Sequence, residues 1–201
     1  MSTRQKKFDN VFLFKVTLQY IEPQVWRMIA VPDNYSFWDL HVAIQDAMGW
    51  DDCHLHHFEV RNPRTREKEY IGIPDEEGEM PMKILTGWKK KIADYFLKRK
   101  TKADYVYDYG DNWEHIIELE MIVPRKEGIK YPICIDGERA CPPEDCGGTG
   151  GYEDFLEAIM DPGHKEHESL LRWAGGEFDP EYFDSKNVHF DNPAKRLRMV
   201  I

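Results

Sequence analysis

Asp108, Asp111, Glu114 and His115 stand within one short stretch of chain, interleaved with Tyr105, Tyr107, Tyr109 and Trp113. Clustered carboxylates beside a histidine can hold a divalent ion that activates water. They can also act as an acid–base pair where their surroundings separate their pKa values. His115 has two readings: a neutral buried ring bonded to a hydroxyl, or a metal ligand or general base. The aromatic residues offer flat, amphipathic contact area, and the acids add charge complementarity toward a basic or aromatic segment of a partner.

A second set has metal-ligating types. His54 and His56 lie two apart, and Cys134, Cys141 and Cys146 follow at wide spacing without a Cys-x-x-Cys pair. The usual structural zinc pattern is absent, so three thiols need His54, His56, His115 or Cys53 as a fourth ligand. The ion would be zinc or another divalent metal. The competing reading makes the cysteines small buried apolar groups of a loop shaped by Pro142, Pro143 and the glycines. Gly147-Gly148-Thr149-Gly150-Gly151 ahead of a helix invites a phosphate, but Glu144, Asp145, Glu153 and Asp154 surround it and no basic residue follows. A cation or amine is the better guest. Gly-x-Ser-x-Gly, His-Glu-x-x-His and a dinucleotide-binding turn do not occur.

These groups need positioning. From Trp113 the chain alternates, with Trp113, His115, Ile117, Leu119, Met121 and Val123 on one face and Glu114, Glu118 and Glu120 on the other, as in a half-buried strand. Gly110-Asp111-Asn112 suits a hairpin loop. Three residues there pair Tyr109 with Trp113 and Tyr107 with His115, so the aromatic faces coincide and Asp108 stands opposite Glu114. Upstream, Val11 to Ile21 and Val25 to Val31 read as strands. Arg27, a further cleft candidate, reads as a snorkelling or ion-paired side chain rather than an anion receptor.

Ser36 with Asp39 opens a helix whose stripe is Phe37, Leu40, Ile44, Ala47 and Met48, and Gly49 ends it. Cys53 to Val60 reads as a strand, Glu69 to Pro74 as a short one, and Asp75 to Glu79 as an acidic loop. Ile84, Leu85, Trp88, Ile92, Tyr95 and Phe96 recur at helical spacing among lysines, although Gly87 weakens that helix. Prolines and glycines between Cys134 and Tyr152 exclude regular structure. Helices follow at Glu153 to Met160 and His164 to Ala174, and the tail carries aromatics able to staple it to the body.

Composition bounds the reading. The chain has 201 residues, 41% of them hydrophobic, enough for one sizeable core. A formal net charge of -10 argues against general polyanion binding and leaves room for a local basic patch, concentrated at Lys83 to Lys102. No apolar run reaches membrane-spanning length and the first residues lack a signal peptide's hydrophobic segment, so a cytoplasmic protein with no membrane partner is expected.

Val25-Trp26-Arg27, Met48-Gly49-Trp50 with His54-Leu55-His56-His57-Phe58, the run Tyr107 to His115, and Cys141-Pro142-Pro143-Glu144-Asp145-Cys146-Gly147-Gly148 resemble the plasmid pRiA4b ORF-3-like family, in the family's order from about Phe12 to Phe183. The resemblance implies an α+β fold with a β-grasp-like beginning and a biochemical role largely unassigned. Some members carry a resolvase label, and some eukaryotic relatives join the domain to zinc-finger modules. A serine recombinase needs a nucleophilic serine among arginines and a DNA-binding module, which this acidic, serine-poor chain lacks.

The expectation is one α+β domain over 1–201. It has a mixed or antiparallel sheet, a β-grasp-like N-terminal ββαβ unit, a central hairpin and a helical segment from about 150 packed on it. Its function reads first as a non-catalytic binding module with an aromatic-acidic cleft for a protein or peptide. A metal-dependent hydrolase comes second and a nucleic-acid-associated protein third.

Overall fold

The computed structural model describes residues 8–75 and 80–200; the chain start and residues 76–79 of the expected acidic loop lie outside them. Eight strands form one sheet: β1 (Asn10–Leu18), β2 (Trp26–Pro32), β3 (His56–Arg61), β4 (Lys68–Gly72), β5 (Ile84–Thr86), β6 (Lys102–Tyr107), β7 (Trp113–Pro124) and β8 (Ile133–Glu138). Their order is β5-β4-β3-β6-β7-β1-β2-β8, antiparallel throughout except for the β4–β5 pair. Among the described residues four helices accompany them: α1 (Phe37–Met48), α2 (Gly148–Met160), α3 (His167–Trp173) and α4 (Pro193–Leu197). The class is α+β. The ββαβ order opens the chain, and the β6–β7 hairpin is inserted between β3 and β1.

Alternation explains the sheet. Phe12, Phe14, Val16 and Leu18 of β1 and Trp113, His115, Ile117 and Leu119 of β7 turn into the same buried layer. Each fully buried aliphatic or aromatic side chain contributes roughly 1.5–3 kcal/mol. Glu120 is the extra residue of a bulge, since Leu13 pairs with Met121 while Phe14 pairs with Leu119. The bulge interrupts the alternation, and Met121 is exposed rather than continuing the apolar face as expected.

Helix α1 covers this layer. Ser36 Oγ accepts from the Asp39 amide at 3.2 Å and Asp39 Oδ2 from the Ser36 amide at 2.7 Å, while Gly49 closes the helix at φ 92°. Such a cap is worth about 1 kcal/mol. All five stripe residues are buried against the sheet. Tyr152 and Phe155 of α2 join the same core.

Three local expectations need correction. The expected helix through 84–96 is instead β5 followed by two 3₁₀ turns. Ile92 and Phe96 still go inward, with Phe96 edge-on to Phe14 at 4.8 Å, so packing satisfied the apolar spacing without a helix. Residues 133–138, read as irregular, form an edge strand on β2, where edge position and a bulge tolerate Gly137. The hairpin register is Tyr107 with Trp113 and Tyr105 with His115. Asp108 and Asn112, not Gly110, carry the positive φ values, 56° and 54°, so the loop runs from Asp108 to Asn112. The shift is two residues, so the faces still coincide, but Val106 and not Asp108 lies opposite Glu114.

The tail returns over α1. The Trp38 indole donates to the Pro193 carbonyl at 2.9 Å, and Arg196 bonds Asp46 and Asp191, each at 2.7 Å. Among the described residues, no helix is long and apolar enough to cross a membrane.

Candidate functional site

The hairpin aromatics face inward. Tyr105, Tyr107, Trp113 and His115 are buried, and Trp50 stands at their centre. Its ring stacks on Tyr107 at 5.1 Å and meets His115 edge-on at 5.4 Å, and its indole donates to the Pro142 carbonyl at 3.0 Å. The Met48-Gly49-Trp50 block, the hairpin and the Cys-Pro-Pro loop therefore meet at one place. Tyr107 Oη accepts from the Cys53 amide at 3.0 Å and donates to Glu144. Asp111 accepts from the Gly147 amide at 3.0 Å, and Gly148 lies so close to Asp111 that a Cβ there would meet its carbonyl. Tyr109 bonds His57 at 3.0 Å, and Glu114 accepts from Asn112 at 2.9 Å.

His115 Nδ1 lies 3.1 Å from the Trp113 carbonyl and 3.3 Å from that of Tyr105, so it carries the proton. Among the described residues Nε2 is buried without a hydrogen-bond partner. Burial holds the ring neutral, its pKa down to about 4, only partly offset by those two carbonyls. His56 stacks on His41 at 3.4 Å and 7°. His41 bridges Tyr105 Oη at 2.8 Å and Asp52 at 2.7 Å, with Gln45 donating to the same hydroxyl at 2.9 Å. Burial pushes both rings well below the ordinary histidine value. These histidines are core groups, and their partners fix the tautomers of His115 and His41.

His54 is placed differently. It precedes β3 on a loop, and its Nε2 lies 2.8 Å from Asp145 Oδ1 and 3.7 Å from Asp108 Oδ2. Of the six metal candidates, the structure brings His54 alone into a group of three or more ligating side chains among the described residues. Its companions are Asp108, a cleft candidate, and Asp145. From the sequence Asp145 reads as one of the acids around the glycine cluster that favour a cation; its pairing with His54 and Asp108 is what the fold adds. Glu144 flanks the group, its carboxyl raised by burial against the opposing pull of Tyr107.

Cys134 and Cys141 lie beside Arg27. Burial pushes Cys134 up to about 11 and Cys146 to about 12, so thiolate ligation there would work against burial. Arg27 is fully buried, and its expected snorkelling or ion pairing needs correction. It donates to the carbonyls of Ala47, Trp26 and Glu138, each at 2.9 Å, with Phe183 3.7 Å over its plane. Three carbonyls and a ring face supply what a carboxylate would have.

A groove of about 560 Å³ opens between α2 and α3 beside this loop. Phe155, Leu170 and Trp173 form its apolar floor, with Trp173 edge-on to Phe155 at 5.9 Å and 48% exposed. Asp145, Asp154, Glu157 and Glu166 also line it, together with Lys165 and His164. The signal in the sequence was Asp154 and Glu157, three apart on a short helix.

The sheet order, the capped helix and the glycine-bearing loop before α2 define a known class. The family described as plasmid pRiA4b ORF-3-like protein matches residues 10–187, and this chain belongs to it. The chain is 37% identical over 192 residues to the uncharacterized protein y4hQ of Sinorhizobium fredii (strain NBRC 101917 / NGR234), covering 94% of this chain and 91% of the relative. It is also similar to the crystal structure of MM3350, a protein of unknown function from Methanosarcina mazei Go1. The identity is 47% and the TM-score 0.83, over 92% of this chain and all of the other.

Proposed function

We propose that this chain is a non-catalytic binding module, and that the groove between α2 and α3 takes a basic segment of a protein partner. The observation that carries the reading is the pairing of an exposed Trp173 over an apolar floor with four carboxylates lining the same groove. Of the hairpin aromatics, Tyr105, Tyr107 and Trp113 are spent on the core and Tyr109 is half-buried, whereas Trp173 leaves about half of its surface open among acids. A lysine or arginine over the indole gains roughly 0.5–1 kcal/mol, and the acids favour its approach. The acids also speed encounter at low salt.

The test is fluorescence anisotropy with a labelled lysine-leucine peptide and its glutamate-leucine counterpart. The basic peptide is expected to bind and the acidic one not. Trp173→Ala should weaken binding at least fivefold with the fold intact by circular dichroism. Binding unchanged in Trp173→Ala, or absent in the parent, overturns the reading.

Nucleic-acid association has less support. Lys100 and Lys102 pair with Glu118, Arg99 reaches Glu120 and Lys90 reaches Glu69, which neutralises part of the basic segment. A metal-dependent hydrolase draws on the group around His54, where a divalent ion would polarise water. Hydrolysis of p-nitrophenyl esters that depends on added metal and disappears in His54→Ala would move the reading to catalysis.

A further inference from the structure

We infer that His54, Asp108 and Asp145 form a binding site for one divalent transition-metal ion. The site is separate from the groove reading and does not rest on it. Three elements supply it: the loop before β3, the first residue of the hairpin turn and the loop before α2. One ligating atom from each lies within 4.8 Å of the others. An ion bonded at about 2.1 Å sets neighbouring ligand atoms roughly 3–4 Å apart; the 3.7 Å from His54 Nε2 to Asp108 lies in that range, and the 2.8 Å to Asp145 needs a small outward turn of the exposed Asp145 side chain.

The imidazole supplies the second observation. His54 Nε2 is a buried atom 2.8 Å from a carboxylate oxygen, yet the two are not oriented as a hydrogen bond, and among the described residues the nitrogen has no other hydrogen-bond partner. A simple ion pair would align donor and acceptor. Two ligand atoms this close without hydrogen-bond geometry are what a shared ion would draw together, and the ring, 31% exposed, leaves the place open to one. The Asp108 side chain is only 9% exposed. Its Oδ1 is held by the Gly110 amide at 2.8 Å, which fixes Oδ2 toward the ring. That is the kind of outer support that orients a ligating carboxylate. Asp145, on the exposed side, is free to close the set by rotating its side chain.

The donor set names the class of ion. One imidazole with two carboxylates suits zinc, manganese or cobalt, whereas an all-oxygen set would suit magnesium or calcium. Three protein ligands leave coordination positions for water or a partner's group. Because Asp145 also lines the groove, an ion here would stand beside it.

The experiment is calorimetric titration of tag-free, chelator-treated protein with zinc chloride and manganese chloride, alongside the visible spectrum after cobalt addition. One ion per chain is expected. His54→Ala and Asp108→Asn, the latter keeping the acceptor for Gly110, should each lower affinity at least tenfold. Trp173→Ala and Cys134→Ser should leave it unchanged. Circular dichroism of His54→Ala checks that the fold persists. No stoichiometric binding, binding retained in His54→Ala, or binding lost in Cys134→Ser overturns the inference. Loss of peptide binding in Trp173→Ala with metal affinity intact separates this site from the groove.

Discussion

Replacing Arg27 by lysine keeps the charge and removes the fork. The guanidinium reaches three carbonyls belonging to β2, the end of α1 and the end of β8, and it carries the tail through Phe183. A lysine ammonium is a single point and keeps one of these bonds at that spacing. Two lost bonds to a charged donor, at roughly 1.5–3 kcal/mol each, are offset in part by relaxation, so the net loss is about 3 kcal/mol. For a chain of this size that lowers the thermal midpoint by about 6–12 °C. Urea unfolding followed by far-ultraviolet circular dichroism measures the loss, and exchange of the amides around Phe183 measures release of the tail. A loss under about 1 kcal/mol would refute the argument that one side chain joins these four segments.

Acid should weaken the fold through its buried histidines. The unfolded His115 ring takes a proton near 6.5 and the folded one only near 4, so its contribution is full above the first value and lost as pH falls through the second. Between pH 7 and 5 that is about 2 kcal/mol. His41 and His56 act in the same direction, while Asp46, Asp52 and Glu144, raised by burial, oppose it. The urea midpoint of His115→Gln should therefore depend less on pH than the parent's; parallel profiles would remove the ring from the account. Gly151→Ala should destabilise by about 3 kcal/mol or prevent folding, because a Cβ there runs into the Cys146 carbonyl. A soluble variant with an unchanged midpoint would contradict that packing.

Where sequence and structure agree, local chemistry and tertiary demand point the same way. Ser36, Asp39 and Gly49 fix α1 because each terminal group finds its partner within a few residues. The faces of β6 and β7 were legible from period two alone, but their register was not. Turn length depended on Asp108 and Asn112 accepting left-handed backbone, and Gly110 drew attention as the obvious residue for it. Strand β8 was hidden because Asp136 and Gly137 look like loop, and only the open edge of β2 makes them a strand. The aromatic density of the hairpin was visible, yet composition cannot say whether rings line a cleft or fill a core. Trp50 decided that by filling the space between Tyr107 and His115. That Asp145 is acidic company for a cation was legible in the sequence, but its nearness to His54 was not, because no spacing along the chain encodes it.

Strand β1 lies between β2 and β7. Its first neighbour follows within a few residues, but β7 begins about 100 residues later, and a ribosome takes about 5–20 s to deliver them. For that interval the nascent chain presents an open backbone edge beside Phe12, Phe14 and Val16, a ready template for another chain's strand. Yield during synthesis should thus depend more on what shields that edge, such as a holding chaperone or slow growth in the cold, than on the stability of the finished molecule.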